Sequence, residues 1–151
     1  MSAAETIKSI LSEQVKGYRT LLDLLQQERS CLVRFDPRGV ETLSKEKDTI
    51  VMKLKLLEEE RVRLVRAYAS ENALAETDVF RGLSEAVGDD SFQRLRLQLI
   101  SLLQSIMELN GFNRVLIERS AAVVKNALNY LGSCGIAAPA AKTGALVSRE
   151  V

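Results

Sequence analysis

From Val40 to Tyr68 the apolar positions of this chain recur alternately three and four residues apart: Val40, Leu43, Lys47, Ile50, Leu54, Leu57, Arg61, Leu64, Tyr68. That spacing rules out a strand, whose faces alternate every second residue, and specifies a helix with one apolar seam of heptad type. The stretch Leu43–Tyr68 has no Gly, Pro or His to interrupt it. Two seam positions, Lys47 and Arg61, are cations. Charged residues such as Glu58, Glu59, Glu60, Arg63 and Arg66 fill the other faces, and Glu41–Lys45 and Glu59–Arg63 have the favourable acid-first i,i+4 order. A helix with one apolar edge must lie against another helix.

The rest of the chain supplies the partners. Ser2 to Glu5 reads as a capping box that opens a first helix with the seam Leu11, Val15, Tyr18, Leu22, Leu25, Arg29, Leu32. Asp36-Pro37 cannot continue it, because the residue before a proline is pushed out of the helical region. Asp36 is then the N-cap, and Pro37 the first-turn residue, of the second helix. Thr77 or Asp78 caps a short helix through Val79, Phe80, Leu83 and Val87, ended by Gly88. Asp90 to Gln93 reads as a further capping box, opening a last helix with the seam Leu95, Leu99, Leu102, Ile106, Leu109, Asn113, Leu116, Ser120, Val123, Ala127, Tyr130. The heptad phase passes undisturbed through Asn110-Gly111, so that pair is a weak point within one helix.

The reading predicts helices over about 3–34, 37–71, 78–87 and 91–131. The fold class is all-α: an elongated antiparallel bundle of three long helices, with one short helix between the second and third. Residues 1–131 form the bundle and 132–151, Gly/Ala-rich and without period, a flexible tail, with Gly132 stopping the last helix.

Composition excludes several functions. A net charge of +1 gives no field for nucleic acid, and Trp is absent. With no His in the chain, imidazole bases, His-ligated metals and histidine phosphotransfer are out. Cys31 and Cys134 make no C-x-x-C pattern and read as reduced thiols. The run LQLISLLQSIMEL is too short and too polar to span a bilayer, and the start has no signal-peptide core, so a cytoplasmic protein without membrane insertion is expected. Gly135 with Lys142-Thr143 lacks the second glycine and the strand of a P-loop. Three successive carboxylates at Glu58–Glu60 point in different directions and cannot converge on a metal. No nucleophile, base and orienter assemble, so neither an enzyme nor a cofactor is expected.

The last helix carries a second stripe, one residue out of phase with its seam: Ile100, Leu103, Met107, Asn110, Arg114, Ile117, Ala121, Val124, Leu128, Leu131. Two adjacent stripes suit a central helix that touches both others. In the C-terminal half, Ile117, Ala121, Val124, Leu128 and Leu131, with Ala122 and Ala127, also suit a shallow groove for an incoming helix.

Several stretches resemble the FlgN family of flagellar type III export chaperones. These are LLDLLQQERSCL, the turn at Asp36, LSKEKDTIVMKLKLLEEERVRL, then LNGFNRVLIERSAAVV with Asn110 and Asn113, and NYLGSCG. The resemblance implies a cytosolic helical protein without cofactors. It would bind the C-terminal helical segments of the hook–filament junction proteins FlgK and FlgL and present them to the export apparatus. The client-binding region it implies is roughly Val115–Leu131, which overlaps the groove residues. The alternative in a different class is a structural coiled-coil adaptor, which Arg29, Lys47 and Arg61 within the seams disfavour.

Overall fold

The computed structural model describes residues 2–133. They form α1 (Ala3–Val33), α2 (Pro37–Glu71), a 3-10 turn (Glu76–Asp78), α3 (Val79–Val87) and α4 (Ser91–Ser133). No strand occurs among the described residues, so the all-α class is found. α4 runs without interruption through Asn110 and Gly111. It also continues past Gly132, which therefore does not end it. The expected tail, from residue 134 on and including Cys134, lies outside the described residues.

The helix ends show why the elements fall where they do. At α1 the capping box forms in both directions: the Glu5 amide donates to Ser2 Oγ, and the Ser2 amide to Glu5 Oε2. At α2 the Gly39 amide donates to Asp36 Oδ1 at 3.0 Å, the N-cap that Asp36-Pro37 implies. The start of α4 differs from expectation. There the amide and hydroxyl of Ser91 both donate to Asp89 Oδ1, so the carboxylate two residues upstream caps the turn. Asp78 makes no side-chain cap at α3 and binds Arg81. Arg63 likewise pairs with Glu60, three residues before it, in place of the expected Glu59.

Both long N-terminal helices end in a motif with a left-handed residue. After α1 the Asp36 amide donates to Cys31 O and the Phe35 amide to Leu32 O, with Phe35 at φ +54°. After α2 the Leu74 amide donates to Ala69 O and the Ala73 amide to Ser70 O, with Ala73 at φ +52°. These are the two bonds of the Schellman motif, whose left-handed position normally belongs to glycine. Only α3 follows that rule, closing on Gly88 at φ +79°. Replacing Ala73 by Gly is therefore expected to stabilise the protein by about 0.5–1 kcal/mol, relief of strain exceeding the added chain entropy. Gly88→Ala should do the reverse; equilibrium urea unfolding of the two variants checks the opposite signs.

The chain divides into two compact units. Among the described residues the first comprises 2–21 and Ile50–Ser105, the second Leu22–Thr49 and 106–133. In the first, Ala4, Ile7 and Leu11 of α1 meet Val65 and Ala69 of α2, Val79 and Leu83 of α3, and Phe92 of α4. Ile7, Leu11, Val79, Leu83 and Phe92 are each at most 1% exposed. α1 and α2 approach closely at Gly17, where a Cβ would stand 2.7 Å from Leu54 Cδ2. A larger residue there would displace the Leu54 side chain.

The second unit buries Leu24, Leu25, Cys31 and Leu32 of α1, Val40 and Leu43 of α2, and Ile106 of α4. With them it buries Glu28, Ser44, Lys47, Asn113 and Ser120. Two seam assignments need correction. Arg29 is exposed and not on the buried face. α1 also buries a second row, Gln14, Gly17, Leu21, Leu24, Glu28 and Cys31, beside its expected seam. The doubly buried helix is thus α1. Polar Gln14 and Glu28 interrupt this row, so it carries no continuous apolar period in the sequence.

Candidate functional site

The expected groove residues all lie on the second-unit part of α4. Ile117, Ala121, Val124, Leu128 and Leu131 are each half-buried. Upstream, the buried residues of this part of α4 are Ile106, Asn113 and Ser120. From Ala121 to Ser133 no residue is fully buried. The face therefore continues beyond its buried part with incomplete cover.

The seam assigned to this end of α4 is wrong. Val123 is 55% and Tyr130 67% exposed, and Ala127 is exposed as well. The cause is geometric. A strict heptad repeats every 3.5 residues, but a straight α-helix turns once in 3.6, so the repeat rotates by about 20° per heptad. Over the roughly five heptads from Leu95 to Tyr130 that amounts to about 100°, the angle of one residue. Within the second unit the inward side passes from Asn113 and Ser120 on the first stripe to Ala121, Val124, Leu128 and Leu131 on the second. Leu102, expected on the core seam, is only half-buried, while Ile106 is buried.

A polar cluster anchors α4 in this unit. Lys47 Nζ lies 2.6 Å from Glu28 Oε2, both side chains almost fully enclosed. Asn113 Nδ2 donates to Glu28 Oε1 and to the carbonyl of Leu25, each at 2.9 Å. Asn113 Oδ1 and Ser44 Oγ are buried and accept or donate no hydrogen bond among the described residues. The sequence showed Lys47 on a seam, and a seam cation demands a buried acid. Glu28 is that acid, found one residue away from the row that periodicity had marked.

The first unit has a second polar cluster beside an apolar cleft of about 220 Å³, lined among others by Leu11, Phe80, Leu99 and Leu103. Glu58 accepts from Arg61 Nε at 2.8 Å and from Gln14 Nε2 at 2.8 Å. The hydrogen bond from Arg61 holds the Glu58 carboxyl below its usual range against the opposing effect of burial, and Gln14 assists. Burial pushes the half-buried Tyr18 phenol up, and the Glu58 charge adds to this. A carboxylate held ionised by a guanidinium is a structural partner, poorly suited to exchanging protons near neutral pH. No group of three or more metal-ligating side chains occurs among the described residues. No described helix is long and apolar enough to cross a membrane.

Comparison with known proteins returns one relationship. The family described as FlgN protein matches this chain over residues 1–134. No curated protein and no solved structure matches it.

Proposed function

Since the chain belongs to the FlgN family of flagellar export chaperones, we propose that its clients are the C-terminal helical segments of the junction proteins FlgK and FlgL, which it shields in the cytoplasm and passes to the export apparatus. The observation that carries this reading is the face of α4 beyond Ser120, apolar at Ala121, Val124, Leu128 and Leu131 yet only half covered. An amphipathic client helix completes such a face by laying its own apolar stripe along it. Ala121 lets two helix backbones approach there. From Ile117 to Leu131 the stripe extends about 21 Å at 1.5 Å per residue, enough for four turns of a client. Ordering a disordered client consumes several kcal/mol of the gross interaction, which leaves the complex releasable.

The test separates binding from folding. Val124→Asp with Leu128→Asp puts charges where the client must dock. Binding of a FlgK or FlgL C-terminal peptide is expected to weaken by about 2 kcal/mol or more, roughly thirty-fold. The positions are half-buried, so a stability loss of about 1–2 kcal/mol is also expected. Val123→Asp, on the exposed side, should leave both properties near wild type. Titration calorimetry alongside thermal unfolding decides. Normal peptide binding by a folded double variant would rule the α4 stripe out as the client site.

A further inference from the structure

The turn between α1 and α2, in the second unit, carries an aromatic where the backbone disfavours one. Phe35 occupies the left-handed position of the Schellman motif at φ +54° and is 57% exposed. A bulky residue is strained there, and glycine or asparagine would serve the turn better. With its ring largely in solvent, Phe35 returns little packing to the fold. Strain retained at an exposed side chain points to use by something outside the fold.

The exposed face of α1 that leads into this turn defines what that use requires. Val33, also exposed, sits with Arg29, Arg34, Gln26 and Ser30 around an open groove of about 480 Å³. The Arg29 guanidinium lies 5.6 Å from the ring centre of Phe112, itself 61% exposed. Among the described residues neither Arg29 nor Arg34 pairs with a carboxylate; Arg34 reaches only the Cys31 sulfur, at 3.7 Å. Glu28 is committed to Lys47 and Asp36 to the Gly39 amide, while Glu46 shares a pocket with Arg34 without an ion pair to it. Two guanidiniums without a carboxylate ion pair thus stand beside exposed Phe112 and Val33. Arginine with aromatic side chains is the composition of protein-binding hot spots. We propose that this surface, distinct from the α4 stripe, docks an acidic amphipathic helix of a partner protein. The partner's carboxylates would take the forks of Arg29 and Arg34, and its apolar face would cover Phe35, Val33 and Phe112.

The proposal makes stability and binding move in opposite directions. Phe35→Gly relieves the left-handed strain, so the full-length variant should unfold at a higher temperature than wild type. The same variant should bind a labelled amphipathic Leu/Glu peptide roughly ten-fold more weakly, as loss of an anchor does. Arg29→Gln with Arg34→Gln should weaken binding by a similar factor and flatten its dependence on salt. A Leu/Lys peptide of the same pattern should not bind. Fluorescence anisotropy at low and high salt, with differential scanning calorimetry, gives every readout. Failure of the Leu/Glu peptide to bind, equal binding of the Leu/Lys peptide, or unchanged affinity in either variant overturns the proposal. Cosedimentation with phosphatidylglycerol/phosphatidylethanolamine vesicles, abolished by Phe35→Gly while the peptide stays unbound, would assign the surface to a membrane and overturn it equally.

Discussion

Lys47→Met is expected to destabilise the protein by about 3–5 kcal/mol, although methionine matches lysine in length and suits a buried position better. The loss comes from what remains. Glu28 is 2% exposed and takes its charge partner from Lys47 at 2.6 Å. Without the ammonium, a carboxylate stays enclosed with only the Asn113 amide to satisfy it. Adding Glu28→Gln to Lys47→Met should recover most of the loss. The glutamine carbonyl can still accept from Asn113, and no unpaired charge is left inside. Urea unfolding of the single and double variants measures both. A loss below about 1 kcal/mol in Lys47→Met would mean that water reaches the pair and that it is worth no more than a surface ion pair.

A loss of similar size, about 3–5 kcal/mol, is expected for Phe92→Ala in the first unit. Phe92 has no exposed surface and packs in one cluster with Ile7, Leu11, Val79, Leu83 and neighbours from all four helices. Alanine is the better helix former, so local propensity works against the predicted direction. Any loss therefore reports packing alone. The exposed Val123→Ala on the same helix should stay within about 0.5 kcal/mol of wild type. A Phe92→Ala variant that unfolds within 1 kcal/mol of wild type would show that the cluster collapses around the gap and that Phe92 does not tie the four helices together.

Local signals were the readable part of this chain. Ser2 with Glu5, Asp36 before Pro37, and Gly88 each determine a helix end by a short-range bond or a backbone preference, and each end forms as such signals dictate. Phe92 continues the α4 seam three residues before Leu95, but its place between Ser91 and Gln93, in what looks like a cap, disguises it as a surface position. The ends of α1 and α2 fall where expected, but the left-handed caps at Phe35 and Ala73 were hidden because neither is the glycine that marks one. The second buried row of α1 was hidden by polarity, since Glu28 counts as a surface residue until its partner Lys47 is known to be enclosed. At the candidate site, the five α4 residues of the stripe are half-buried where Val123, Ala127 and Tyr130 of the expected seam are exposed. Their relation to the seam could not be read, because a seven-residue repeat drifts by about 20° per heptad on a straight helix.

Heptad patterns are translationally degenerate: a helix that slides by seven residues presents nearly the same apolar face to its neighbours. In the second unit the buried residues of α4, Ile106, Asn113 and Ser120, stand one heptad apart, and only Asn113 offers an amide. A slip in one direction would bring Ile106 to Glu28, and in the other Ser120. Isoleucine cannot hydrogen-bond the carboxylate at all, and serine has a single, shorter-reaching donor to set against the two bonds Asn113 makes. One polar side chain thus lifts the degeneracy and picks a single alignment out of a set that the hydrophobic effect would leave nearly equal.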